Sequence, residues 1–407
     1  MKMNCRSCRC TNHTSILDLG HHPWCNDFLT KERVGKEEKY PLHLVQCDEC
    51  ELLQLNYTVP KEVMFKNHTY VSSTTKSLSK HFYELALENK CQFDLQKDDL
   101  ILDIGGNDGT QLLQYKKAGL ENVLNVESAD NIAALSVGDG IPTVNAFFNE
   151  ELINEKALGG KVKLINASGV FFHLEELHSV IRGIKKALAK DGVLVIQFMY
   201  AGTMVEKLNF DGIYHEHLCF YTLRSLKNLL EPYGFSVFDA YHSDIHSGSI
   251  IAKVSKSPIF EKTTSYEFWL EKDKKYNRES FLEFAGKVKS KKRDLKDLLE
   301  RIKSDNPQAK VYAYGAPAKG NTLLNYFGID NSLIDKCVEV NDLKVGLYLP
   351  QSHIPITKES PEDLPDYYLL LAHNFAEEII ERNKDLMKRG VKFIIPFPKV
   401  TIISNSN

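Results

Sequence analysis

The sequence predicts an α/β chain in three parts: a small Cys-rich N-terminal domain, a middle domain of β-α-β units, and a second α/β domain at the C-terminus. Three observations predict it. Two Cys-x-x-Cys pairs stand near the start, and short apolar runs alternate with amphipathic stretches from about residue 95 to 255. The same alternation resumes after a charged stretch over 270–306. The chain's 407 residues suffice for two to four domains, and 43% hydrophobic against 26% charged residues leaves material for their cores.

The charge balance narrows the partners. With 51 Lys+Arg against 54 Asp+Glu the formal net charge is −3, which disfavours a sequence-independent grip on nucleic acid. No apolar stretch is long enough to span a bilayer, VLVIQFMYAG being too short and too polar, so no membrane partner is expected. The opening MKMNCRSCRCTNH has no apolar signal region, and a cytoplasmic location is the expectation. The nine cysteines are then read as reduced thiols and metal ligands rather than disulfides.

Residues 1–70 form the first predicted domain. Cys5-x-x-Cys8 and Cys47-x-x-Cys50 each place two thiolates on one side of a tetrahedral ion, and together they complete an all-sulfur sphere suited to Zn2+. Four thiolates leave no position for water, so the metal is expected to be structural. The segment 9–46 must fold back as a loop or small sheet, and Cys10 is a third thiol that could compete with Cys8.

Residues 71–262 form the second. Strands are expected at Leu100–Ile104, Val123–Glu127, Val162–Asn166 and Val193–Phe198, with helices between them. After the first strand comes Asp103-x-Gly105-x-Asn107-Asp108-Gly109, then a helix. It is neither the GxGxxG dinucleotide fingerprint nor a P-loop. It fits the glycine loop of class I S-adenosylmethionine (SAM) methyltransferases, in which glycines admit the ligand closely and polar side chains take its ammonium group. Glu127 ends the next strand, where a carboxylate can accept both ribose hydroxyls.

The run Tyr214-His215-Glu216-His217 is not HExxH, and two histidines in alternation share a face only in extended backbone, so a catalytic metal is not expected there. A histidine beside a carboxylate is instead a general-base arrangement, and a tyrosine can donate to an oxyanion. Residues that merely satisfy buried hydrogen bonds are the alternative.

The charged segment 263–305 is expected to be a solvated helix joining two domains. Residues 306–407 then repeat the α/β pattern, with strands at Val311–Tyr314, Cys337–Val340, Tyr368–Ala372 and Phe393–Pro396. Tyr314-Gly315-Ala-Pro-Ala-Lys319-Gly320 is a strand-to-helix turn without a phosphate motif; it is either a degenerate nucleotide-like fold over the site or tight packing at Gly315 and Gly320. Asn374 reads as a helix N-cap.

Taken together, the paired CxxC knuckles, "ILDIGGNDG", "VESAD", "GIYHEH", "AYGAPAKGNTLLNY" and "HNFAEE" resemble the SAM-dependent nucleotide-sugar C-methyltransferases along nearly the whole chain. The resemblance implies a zinc-binding domain, a Rossmann-like SAM domain and a C-terminal Rossmann-like domain. It also implies a nucleotide-linked 4-keto deoxysugar substrate, commonly dTDP-linked, methylated at C-3′ through an enolate. It makes His217 the base candidate, Tyr214 an active-site partner and Glu216 the orienting carboxylate. Tyr70 and His173 match further site residues, and His246 a middle-domain histidine. The chain departs from the family pattern at Gly169, where an Asn is expected, and in "GGNDG", Glu339 and Asp342. O- or N-methylation of a small molecule and a non-enzymatic zinc-dependent interaction module are the alternative readings.

Overall fold

The computed structural model describes residues 3–405 apart from 66–70, 75, 246–247 and 257. Tyr70 and His246 lie outside the described residues.

The N-terminal strands are β1 (His13–His22), β2 (Tyr40–Cys47) and β3 (Leu53–Leu55). The middle strands are β4 (Leu100–Ile104), β5 (Val123–Glu127), β6 (Thr143–Asn145), β7 (Val162–Ser168), β8 (Leu188–Met199), β9 (Cys219–Phe220), β10 (Ser236–Ser243) and β11 (Ser249–Ser255). The C-terminal strands are β12 (Val311–Tyr314), β13 (Lys336–Val338), β14 (Ile356–Thr357), β15 (Tyr367–Leu370), β16 (Lys392–Ile395) and β17 (Thr401–Ile403). The four expected middle strands are all present. The additional strands β6, β14 and β17 are edge strands of two or three residues, too short to show a period of their own.

Segment 9–46 does fold back into a sheet: β1, β2 and β3 pair antiparallel, and β9 of the middle domain joins them as a fourth strand. The middle sheet runs β10-β11-β8-β7-β4-β5-β6, parallel from β8 to β6, with the β10–β11 hairpin antiparallel at one edge. The C-terminal sheet runs β14-β13-β12-β15-β16-β17, and all of it but β17 is parallel. In each α/β sheet the chain leaves its first strand in one direction and returns to that strand's other side, β4 beside β7 and β12 beside β15. This places a topological switch point at the carboxyl end of each pair, where open α/β sheets bind ligands.

The charged segment corrects one expectation. Arg278–Asp305 is a helix, started by an Asn277/Ser280 capping box, but it is not merely solvated. Phe281, Phe284, Val288, Leu295, Leu299 and Ile302 form one buried stripe that packs on β1 and on the helix Ala318–Phe327. The apolar core is accordingly continuous through all three parts of the chain.

Candidate functional site

The cysteine quartet closes as the spacing suggests. The Sγ atoms of Cys5, Cys8, Cys47 and Cys50 all lie within 4.8 Å of one another, with Cys5–Cys50 at 3.5 Å and Cys8–Cys47 at 3.4 Å. Zn–S bonds of about 2.3 Å give a tetrahedral edge of about 3.8 Å, so the four sulfurs fit one zinc ion and fill its sphere. The hydrogen bond from Cys50 draws the Cys5 thiol down to about 4, while burial raises Cys47 to about 11. Four thiolates this close ionise together only around a cation. Cys10 stays outside the quartet, its sulfur on the backbone of Asn12. Arg6, between two ligands, ties the knuckle to β3 and beyond: its backbone N–H reaches Gln54 Oε1 at 2.9 Å, and its guanidinium reaches Leu55 O and Thr58 Oγ1.

At the carboxyl end of β4 the loop 105–109 wraps onto β5. Asn125 Oδ1 accepts the Gly106 N–H at 3.1 Å, and Glu127 accepts from Asn107 N at 3.0 Å and from Ala129 N at 2.8 Å. Gly106 has no room for a side chain, because a Cβ would sit 2.5 Å from Asn125 Oδ1 and 2.9 Å from Asp103. Asp103 Oδ2 is buried with no hydrogen-bond partner among the described residues, and burial, helped by the charge of Glu127, pushes its carboxyl well above the usual range. A carboxylate left without a partner beneath a glycine cradle fits the ammonium-bearing SAM. The side chains of Asn107 and Asp108 turn elsewhere in this structure: they accept the N–H groups of Ser72 at 2.9 Å and Ser73 at 3.0 Å, tying residues 72–73 to the loop. Asp108 Oδ1 also takes the Thr110 hydroxyl, and Gly109 precedes the helix in a left-handed conformation. Asn125 and Gly106 belong to this cradle although the sequence reading did not single them out. Gly106 lies inside the glycine loop already noted, and Asn125 inside the strand that ends in Glu127.

The turn after β7 links this loop to the histidines. A Cβ on Gly105 would lie 2.7 Å from Val170 Cγ2, and three residues on is His173. Gly169 has φ +72°, a left-handed conformation that Gly adopts freely and Asn tolerates among side-chain residues, which accounts for that exchange at this position. Nδ1 of His173 donates to the Glu216 carbonyl at 2.6 Å, and its ring centroid lies 5.0 Å from that of His217. The Tyr214 ring lies 3.8 Å from that of His217.

His217 is buried, and its Nδ1 is 2.7 Å from the carbonyl oxygen of Gly212. A carbonyl only accepts, so Nδ1 carries a proton, and in the neutral form of the ring Nε2 is the basic nitrogen. Oε1 of Glu216 accepts from Trp24 Nε1 and Asn26 Nδ2, both at 2.6 Å, and so ties the N-terminal domain to this cluster, while the Gly212 carbonyl holds Nδ1 of the imidazole. His215 diverges from His217, as a turn rather than a strand requires. It faces Tyr40 of β2, and burial pushes its imidazole down to about 4.

The C-terminal half meets this cluster from the other side. Asn374 is not an N-cap; it lies inside the 3-10 turn His373–Phe375. Nε2 of His373 donates a 2.7 Å hydrogen bond to Asp211 Oδ2, both side chains nearly inaccessible. Lys319 lines a cavity together with Gly212, Met199, Thr203, Phe220 and Gly248. Gly320 is a packing glycine, as a Cβ there would lie 2.9 Å from Leu371. Asp211 and His373 are the residues the sequence analysis missed. His373 opens a quoted motif and Asp211 stands just before one, but only the fold brings them together. Among the described residues no helix is long and apolar enough to cross a membrane.

A Rossmann-like sheet, a SAM-fitting glycine loop and a closed four-cysteine site define a class I SAM-dependent methyltransferase with a zinc-binding domain. Comparisons agree: residues 5–65 match a zinc binding domain family, 79–240 a methyltransferase domain, and 244–398 the C-methyltransferase C-terminal domain. The C-methyltransferase NovU of Streptomyces niveus is 31% identical over 98% of this chain and 96% of its own. The chain therefore belongs to the C-methyltransferase family and is a SAM-dependent C-methyltransferase with zinc as its second cofactor. Solved structures are more distant. The SAM-dependent methyltransferase from Mesorhizobium loti is 12% identical with a TM-score of 0.33, covering 42% of this chain and 97% of that one. The PH0226 protein from Pyrococcus horikoshii is 12% identical with a TM-score of 0.36, covering 46% and 94%.

Proposed function

We propose that the enzyme methylates C-3′ of a nucleotide-linked 4-keto deoxysugar, commonly dTDP-linked, with His217 as the base. The observation that carries this reading is the Gly212 carbonyl on Nδ1 of the buried His217, which fixes the proton there and makes Nε2 the basic nitrogen of the ring in its neutral form. A carbon next to a ketone is acidic enough for a histidine. As Nε2 takes the proton, the C–H electron pair passes into the carbonyl and an enolate forms. Tyr214, whose ring lies against that of His217, is the group that would donate to the enolate oxygen, with Tyr70 a further candidate on sequence grounds; His173, its Nδ1 proton held by the Glu216 carbonyl, lies beside the base as a further site residue. Asp103 takes the SAM ammonium, Glu127 the ribose hydroxyls, and the 105–109 loop the approach of the ligand to the backbone. SAM supplies an electrophilic methyl to the enolate carbon.

The test is solvent deuterium exchange at C-3′ of a dTDP-4-keto sugar without SAM, followed by mass spectrometry of the product with SAM. Exchange in the wild type, and its loss together with turnover in His217→Ala at nearly unchanged SAM affinity, is the expected outcome. A methyl group found on a sugar oxygen, or full turnover by His217→Ala, would refute the reading.

A further inference from the structure

At the switch point of the C-terminal sheet, between the turns after β12 and β15, the place where an open α/β sheet ordinarily takes a ligand is occupied by a piece of the middle domain. Phe210 is fully buried there, stacked on Phe327 at 5.2 Å and edge-on to Phe397 at 5.3 Å. The next residue, Asp211, is held by His373, and His373 itself packs on Phe397 at 5.5 Å. The residue after that is Gly212, whose carbonyl holds the proton of His217 Nδ1. Phe210–Gly212 is a single 3-10 turn, so whatever fixes Asp211 also fixes the direction of the Gly212 carbonyl one residue on.

We propose that His373 is a positioning residue for the base: by gripping Asp211 it fixes the Phe210–Gly212 turn and thereby the tautomer and aim of His217, so that the C-terminal domain completes the active site without touching the reacting atoms. The inference rests on the reading of His217 as the base. Asp211 Oδ1 is buried and has no partner among the described residues; without His373 its Oδ2 loses its partner as well, and the turn is free to move toward solvent or toward Lys319 on the wall of the shared cavity. An imidazole displaced by about 1 Å costs on the order of 100-fold in rate.

The experiment compares His373→Leu with His373→Gln in the full-length protein. The glutamine amide can place an N–H near the position of Nε2 and should restore the contact. His373→Leu should lower kcat and the SAM-independent C-3′ deuterium exchange together, by about tenfold to 100-fold, with KM and SAM affinity nearly unchanged, and His373→Gln should recover most of both. A second readout needs no substrate: 15N spectra of the histidine-labelled protein should show His217 protonated at Nδ1 in the wild type and in His373→Gln, and a tautomer mixture in His373→Leu. Unchanged exchange and tautomer in His373→Leu would overturn the positioning role. Equal losses in both variants, with SAM affinity falling in parallel, would also overturn it, since that is the mark of a merely structural residue. If the wild type itself shows no exchange, the reading of His217 as base fails and the proposal falls with it, which is a distinguishable result.

Discussion

The two α/β halves of this enzyme are built on one plan and put to different uses. Each has a first strand ending in a small-residue turn, β4 into Gly105 and β12 into Gly315, and each places a glutamate just past the neighbouring strand's pairing. Glu127 accepts from Asn107 N and Ala129 N; Glu339 accepts from Ala316 N and from Val340 N and Asn341 N. In each half the returning strand, β7 or β15, leads within a few residues to a histidine, His173 or His373. Among the positions that differ, three bear on ligand binding. Asp103, Gly106 and Asn107 of the first turn stand where the second has Ala313, Ala316 and Pro317. The second turn therefore lacks the buried carboxylate, the bare backbone and one N–H donor that suit a ligand. Its switch point holds Phe210 and Asp211 instead. A nucleotide-type fold stripped of its ligand chemistry remains a good clamp, because its strand ends still present a concave, well-packed socket.

Making the first turn resemble the second should give the largest effect. Gly106→Ala brings a Cβ against Asn125 and Asp103, both fixed in the core, and overpacking of this kind costs about 1–3 kcal/mol, or roughly tenfold to 100-fold in SAM affinity by calorimetry. The thermal midpoint in the absence of ligand should fall as well. SAM affinity unchanged in this variant would show that the two turns differ for some other reason.

The two buried carboxylates, one at each switch point, should respond to pH with opposite sign. Burial pushes against ionisation of Asp211, but the charge and hydrogen bond of His373, with Lys319 beyond, prevail, and its carboxyl is held below the usual range. Its contribution is present above the unfolded value of about 4 and is lost as the pH falls through its folded value. Asp103 is raised, so the folded state binds its proton more tightly and the burden of ionising it grows as the pH rises above about 4. At pH 7, Asp211→Asn should lose about 1–3 kcal/mol in denaturant titrations, a loss that shrinks only as the pH falls below about 4. Asp103→Asn should hold or gain stability without ligand while weakening SAM binding. The same sign for both variants at pH 7 would break the comparison.

The smallest effect expected is at the paired glutamates. Glu127→Gln should weaken SAM binding by about tenfold, since charged acceptors bind about 1.4 kcal/mol better than neutral ones at such contacts. Glu339→Gln should leave SAM affinity unchanged and cost about 1 kcal/mol of stability. A loss of SAM affinity in Glu339→Gln would mean that the second turn still takes part in binding the cofactor.

Local order was legible in the sequence because local forces create it. The zinc quartet follows from the spacing of four cysteines, and β4, β5 and the glycine loop follow from a buried apolar run ending in residues that tolerate a tight turn. The His217 cluster was visible as a composition, but its wiring was not. The sequence offers the adjacent carboxylate of Glu216 as a partner, but it does not show that Glu216 Oε1 reaches Trp24 and Asn26 or that a main-chain carbonyl, that of Gly212, takes the His217 Nδ1 proton. Backbone acceptors carry no signature in a sequence, since every residue has one. The stripe on Arg278–Asp305 likewise reads as an amphipathic helix, but what it covers depends on β1 lying beneath it.

The sequence by itself determined which elements form, which four sulfurs meet, and that one turn can take a ligand. Only the tertiary structure decided that the second switch point is filled by Phe210 and Asp211, and that His373, 156 positions after His217, stands two contacts from its ring. The physical reason is range: hydrogen bonds within a turn are set by neighbours in the chain, while a pair such as Asp211–His373 exists only once two separately folded sheets have packed against each other.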